Sequence, residues 1–226
     1  MDDKKWKTRI NKVWKNIDSK NILSKFWITD NLLNVKTNSA DEKLVLSLFI
    51  PKLYKCDVKC LELKNQIISF NELLFLSLNV EYLSLNQVIV KYGDGVIVPL
   101  EKIVEIYKKA KSVRYTCVRE TLNITFKTFN ELLKIPHFLT LDRFDISNIP
   151  DELDIELFYN FMKENKETKF HLRFFIQNNI AYKNRLESII DEIIATKNFS
   201  YKPPVIICHG IPNRKMNKLQ RISRKH

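Results

Sequence analysis

The sequence predicts an α/β fold in which strand-helix units repeat along the chain and stack side by side as a short solenoid behind an N-terminal helical cap. Two observations predict it. Ser69-Phe70-Asn71-Glu72-Leu73-Leu74 and Thr128-Phe129-Asn130-Glu131-Leu132-Leu133 are near copies of one hexapeptide, each downstream of a short apolar run with strand character. The pattern apolar-x-x-Leu-x-Leu also recurs, as Val58-Leu61-Leu63, Val80-Leu83-Leu85, Ala110-Val113-Tyr115, Pro136-Leu139-Leu141 and Lys169-Leu172-Phe174. A unit of this size cannot bury its apolar face alone and buries it against its neighbours.

From the N-terminus, Trp6, Ile10, Val13, Trp14 and Ile17 sit at helical spacing among lysines. This predicts an amphipathic helix over residues 3–17, and residues 1–26 are assigned as a basic cap over the first repeat. Residues 27–196 are assigned to an irregular leucine-rich-repeat-like α/β domain. Its middle positions step by 22, 30, 26 and 33 residues from Leu61 to Leu172, which straddles and exceeds the ~20–29 of leucine-rich repeats.

Each predicted strand is followed by apolar residues three and four apart, which share one helix face. The sets are Phe70, Leu73 and Leu74; Leu100, Ile103, Val104 and Tyr107; Phe129, Leu132 and Leu133; Leu153, Leu157, Phe158, Phe161 and Met162; and Leu186, Ile189, Ile190, Ile193 and Ile194. Ser69 with Glu72, Thr128 with Glu131 and Ser39 with Glu42 have the spacing of capping boxes, in which each side chain satisfies the other residue's free amide. Pro99 and Pro150 suit first helical turns, and Tyr92-Gly93-Asp94-Gly95 reads as a turn. Residues 197–226 hold Pro203, Pro204 and Pro212 and then a basic run, which predicts a flexible tail.

Composition narrows the function classes. With 45% hydrophobic residues in a chain of 226, one sizeable core is expected. Only three glycines occur, too few for a loop that cradles phosphate with backbone amides. The net charge of +12 sits at the ends, because residues 1–20 carry seven Lys or Arg against three Asp and residues 197–226 carry eight against none. The chain between is balanced, which argues against a nucleic-acid-binding core. The apolar stretch around residues 44–51 falls far short of the ~20 residues that span a bilayer, so no membrane segment is expected. Four cysteines without framework spacing and a charged N-terminus predict an intracellular protein, cytoplasmic or nuclear.

The chemistry-bearing residues fall into three groups. Between the core-facing leucines of each predicted strand, side chains point to the other side of the sheet. Glu62, Lys64, Ser84, Asn86, Arg114, Thr116, Thr140, Asp142 and Arg173 make up this row, the candidate partner-binding surface. In the tail, Arg214, Lys215, Lys218, Arg221, Arg224 and Lys225 are the candidate nucleic-acid contacts under an alternative nuclear reading. Cys56 with Cys60 and Cys208 with His209 lack zinc-site spacing and read as buried thiols, and His137 and His171 as packed or hydrogen-bonded imidazoles. No nucleophile elbow, zincin motif or paired carboxylates stand out. The expectation is a monomeric, non-enzymatic module without metal or cofactor that holds a protein partner.

The stretch from Ile50 to Thr116 resembles a lineage-expanded nematode family of F-box-like, leucine-rich-repeat-like proteins. The resemblance is carried by Ile50-Pro51-Lys52-Leu53-Tyr54-Lys55-Cys56-Asp57-Val58-Lys59, by Asn65-Gln66-Ile67-Ile68-Ser69-Phe70-Asn71, by Asn79-Val80-Glu81-Tyr82-Leu83 and by the run from Val90 through Tyr92-Gly93-Asp94-Gly95 to Lys102. It implies an α/β repeat domain that recruits a substrate for a cullin-type ubiquitin ligase, with a separate F-box binding a Skp adaptor. The segment before Trp27 is shorter than the ~40–50 helical residues of an F-box, is basic, and lacks its opening Leu-Pro.

Overall fold

The computed structural model describes residues 6–10, 13–17, 25–29, 32–36, 45–118, 121 and 123–226. In chain order, β1 (Trp6–Ile10), β2 (Val13–Ile17), β3 (Phe26–Ile28) and β4 (Leu32–Lys36) come first, then α1 (Val45–Phe49), β5 (Leu53–Cys56), β6 (Cys60–Lys64) and β7 (Ile67–Ser69). Next are α2 (Phe70–Leu76), β8 (Tyr82–Asn86), β9 (Ile89–Lys91), α3 (Leu100–Ile106), β10 (Ser112–Thr116) and α4 (Thr128–Leu132). The last are β11 (Arg143–Ile149), α5 (Ile155–Glu164), β12 (Lys169–Phe174), α6 (Ile180–Ala195), β13 (Val205–Cys208) and α7 (Asn213–Lys225).

Strands β4, β6, β8, β10, β11, β12 and β13 lie side by side in one sheet, in chain order, and every neighbouring pair is parallel. A parallel neighbour requires the chain to cross back over the sheet, and each crossover holds a helix, α1 to α6 in turn. The fold is therefore α/β, as expected; its sheet is parallel, and it is open rather than closed into a barrel.

Alternation along the strands sorts the side chains. Leu33, Leu61, Leu83, Val113, Phe144 and Phe170 stand in register across the sheet, and so do Val35, Leu63, Leu85, Tyr115, Ile146 and Leu172; all are buried. These rows meet the inward faces of the helices, including Leu73, Ile103, Phe129, Phe158 and Ile190, in one apolar cluster. Under β11 and β12 the filling is aromatic: Phe129, Phe138, Phe144, Phe158, Phe161 and Phe170 pack ring against ring. Residues of the opposite parity are half-buried or exposed, apart from Asp145 at mid-sheet and Val205 on the edge strand. The helices thus cover one face and leave the other open.

The strand ends repeat as well. Just past β6 and β8, Asn65 and Gln87 adopt positive φ of 53° and 54°, and within β11 Asn148 adopts 59°. Asn65 and Gln87 turn the chain off the sheet, whereas Asn148 sits at a register shift between Ser147 and Ile149 inside β11; asparagine tolerates this left-handed conformation better than most. The amides of Asn65, Gln87 and Cys117 donate to the carbonyls of Asn86, Thr116 and Ser147, each on the next strand. At the other end, the amides of Glu81, Lys111, Asp142 and Lys169 donate in the same way to Lys59, Glu81, Lys111 and Asp142.

Four expectations are corrected. First, residues 6–10 and 13–17 are not a helix but two strands paired antiparallel, with Ile10 opposite Val13. Thr, Val, Ile and Trp favour extended backbone, and Trp6, Thr8 and Ile10 alternate with Lys7 and Arg9. The side chains of that stripe and the Ser39 and Glu42 pair lie outside the described residues. Second, residues 197–226 are no flexible tail: β13 pairs with β12, and α7 buries Leu219 completely. The α/β domain therefore runs past residue 196. Third, the fourth strand of the repeat row is Arg143–Ile149 and not Pro136–Leu141, which is a 3₁₀ turn followed by an extended residue. Phe138 and Leu141, three apart and both buried, have turn spacing rather than strand alternation.

The fourth concerns helix starts. Ser69 and Glu72 form the expected capping box on α2. Thr128 lies inside the first turn of α4, where its hydroxyl accepts from the Thr125 amide at 3.0 Å. Pro99 caps α3, whereas Pro150 directly follows β11, before the turn that leads to α5. Gly95 takes φ of 87° in the expected turn.

Candidate functional site

The parallel register sets the open-face side chains in three rows. The first runs Leu32, Cys60, Tyr82, Ser112, Arg143 and Lys169; the second Asn34, Glu62, Ser84, Arg114, Asp145 and His171; the third Lys36, Lys64, Asn86, Thr116, Ser147 and Arg173. Basic residues outnumber acidic ones here, with Lys36, Lys64, Arg114, Arg143, Lys169 and Arg173 against Glu62 and Asp145. Four of the six cations stand on β10, β11 and β12.

Asp145 organises that half. Its side chain is only 12% exposed, and Nε of Arg143 donates to both of its oxygens at 2.8 and 2.9 Å. Nε of Arg114, across on β10, donates at 3.3 Å. Arg143 Nη2 also donates to His171 Nδ1 at 2.9 Å, which puts the neutral ring's proton on Nε2. Burial pushes the His171 pKa below its ordinary value, with Arg143, Arg114 and Lys169 adding to the shift against the pull of Asp145. Among the described residues, Lys64, Lys169 and Arg173 pair with no carboxylate. Toward β4, Asn34 and Lys36 both approach Glu62, the lysine at 3.8 Å.

The rim before the strands is neutralised. Glu81 lies 2.6 Å from Lys111 and 3.5 Å from Lys59, and these lysines, Lys111 foremost, hold its carboxyl below the usual range. Asp57 accepts from Trp27 and Asn79 at 2.8 Å each and pairs with Lys55, the chief cause of its lowered pKa.

Of the residues expected on this face, Glu62, Lys64, Ser84, Asn86, Arg114, Thr116 and Arg173 are there. Thr140 and Asp142 are not: Thr140 closes the 3₁₀ turn, and Asp142 occupies the rim position shared with Lys59, Glu81 and Lys111. Their places belong to Arg143, Asp145 and Ser147, whose alternation with Phe144 and Ile146 was the signal in the sequence. Asn34 and Lys36, on a strand not expected, were missed too.

The remaining candidates lie apart. On α7, Lys215 is held by Glu187 and Asp191 of α6 at 2.6 and 2.7 Å, while Arg214, Lys218, Arg221, Arg224 and Lys225 are exposed. Four strands separate Cys208 on β13 from Cys60 on β6, so the two halves of the notional metal site do not meet. All four thiols are free, and His137 has a ring nitrogen 2.9 Å from the Val104 carbonyl oxygen. Among the described residues no cluster of three His, Cys, Asp or Glu is placed to hold a metal, and no helix is long and apolar enough to cross a membrane.

A cavity of about 830 Å³ opens past the carboxyl ends of β10 to β12, with Cys117, Asn123, Asn148 and Asn179 in its wall. Three of its asparagines are engaged locally: Asn123 donates to the Tyr115 hydroxyl, Asn148 to the Cys117 carbonyl at 3.1 Å, and Asn179 caps α6. Burial pushes the Cys117 thiol up to about 12, so it stays protonated at neutral pH.

No protein-family model, curated protein or solved structure matches the chain.

Proposed function

We propose that this protein is a non-enzymatic interaction module, a short leucine-rich-repeat-like solenoid that holds a protein partner on the open face of its sheet. One observation carries the reading. Parallel sheets are ordinarily covered on both faces, and here the described helices pack on one side while in-register polar rows line the other. A rigid, uncovered, side-chain-bearing surface is what stacked strand-helix units use for binding. The resemblance of Ile50 to Thr116 gives the role a specific form, the substrate-binding part of an F-box-type ubiquitin ligase receptor, with a Skp adaptor as a further partner. The site of action is the cytoplasm or nucleus, in keeping with four free thiols.

The test is affinity capture of the tagged full chain from nuclease-treated lysate, beside Ser84→Trp and Lys102→Trp variants. Ser84 sits at the centre of the open face and Lys102 is exposed on α3, on the helix side. The reading expects partners that Lys102→Trp retains and Ser84→Trp loses, with both variants folded by circular dichroism. Partners kept by Ser84→Trp would contradict it. The exposed basic positions Arg214, Lys218, Arg221 and Lys225 recur along one side of α7 and favour a second reading, association with nucleic acid. Capture seen in a parallel lysate left without nuclease and absent from the treated one would move the function there.

A further inference from the structure

The charge on the open face is uneven, and its distribution says what kind of partner fits. Around β4 and β6, Glu62 lies opposite Asn34 and pairs with Lys36, which leaves Lys64 as the one cation there without a carboxylate among the described residues. Around β10 to β12, Arg114, Arg143, Lys169 and Arg173 face outward, and among the described residues Asp145 is their only acidic neighbour on the face. Because Asp145 engages Arg114 and Arg143 through their Nε atoms, it fixes both guanidiniums while the Nη atoms of Arg114 stay without a partner among the described residues. An arginine fixed in this way is ready to take a carboxylate with both Nη groups, and little side-chain freedom remains to be lost on binding. The side chain of Arg114 is 60% exposed, enough for that approach.

Resting on the interaction-module reading, we propose that the partner docks through an acidic, extended segment whose carboxylates are taken by Arg114, Lys169 and Arg173, with Asp145 as the positioning residue. The spacing suits such a segment. Lys169 and Arg173 are four residues apart on one strand, about 13 Å, which is the distance between residues four apart in another extended chain. Arg114 is two strands away, about 10 Å across. A nucleic acid fits less well, since it draws its affinity from a longer basic track with aromatic platforms for its bases. On this face Glu62 interrupts the track, and among the described residues Tyr82 is the one Phe, Tyr or Trp, separated from the cations by Ser112 and Ser84, while the His171 ring is held against Arg143.

The probe is a fluorescein-labelled peptide of alternating Glu and Gly, titrated with the full chain and followed by anisotropy, with a labelled oligothymidylate of equal charge alongside. Lys169→Glu with Arg173→Glu reverses two exposed side chains that hold no carboxylate among the described residues, and Lys102→Glu is the control on the helix side. The expected result is peptide binding that the double reversal weakens about tenfold or more, that Lys102→Glu leaves unchanged, and that added salt weakens. Asp145→Asn should weaken it less, by loosening Arg114, with the fold unchanged. No binding of the peptide, binding that ignores the double reversal, or tighter binding of the oligothymidylate through the same residues would each overturn the proposal. The lysate experiment separates this failure from failure of the parent reading. A partner lost with Ser84→Trp but kept by the double reversal leaves the face as the site and refutes the acidic segment; a partner kept by both refutes the face itself.

Discussion

Asp145 is a carboxylate nearly hidden on a face that is otherwise half-open, and it is hidden because two guanidiniums and an imidazole close over it. Such a charge is tolerated only when paired and hydrogen-bonded. The same packing sets the behaviour of His171, whose folded pKa lies below its unfolded value, so the folded state binds fewer protons there than the unfolded one. The sign follows from linkage: this group's contribution to stability is fully present above the ordinary histidine range near 6.5 and is lost as pH falls through the lowered folded pKa. The imidazole resonances of His171 should therefore titrate below those of a histidine in an unstructured peptide. Urea midpoints should fall on acidification more steeply in the parent protein than in His171→Gln. Titration at or above the ordinary value would show that the ring is not packed as described.

The elements differ in how plainly the sequence announces them. The strands at Leu61, Leu83 and Val113 were legible because two apolar residues flank one polar residue in each, and Ser69 with Glu72 marked the start of α2. The next unit was misplaced because Phe138 and Leu141 supply apolar residues at a turn's spacing just ahead of the true strand. α7 was hidden by its own composition. In a run dominated by Arg and Lys, only Met216, Leu219 and Ile222 are apolar, and their three-residue spacing is a weak mark of a helix face. That face is part of the core, as Leu219 is completely buried. Leu219→Ala should cost about 2–5 kcal/mol in urea unfolding; a cost within experimental error would mean that the last helix is not docked.

At the scale of the whole molecule, the central feature is a parallel sheet dressed on one side only. Strand alternation made seven of the nine expected face residues legible, because period two fixes the side on which a residue emerges once the strand is placed. The asymmetry of charge was not legible. A chain segment whose charges balance overall can still sort them, and here cations gather on β10 to β12 while carboxylates such as Glu81, Glu131 and Glu156 pair at the rim or on helices. Composition averages over faces that only the fold separates. The proposed function places the partner on this bare face. The most direct measurement is photocrosslinking in cells, with a benzophenone side chain placed at Ser84 in one strain and at Lys102 in another. A partner held on the open face gives a discrete adduct from Ser84 and none from Lys102; an adduct from Lys102 with none from Ser84 would refute that placement.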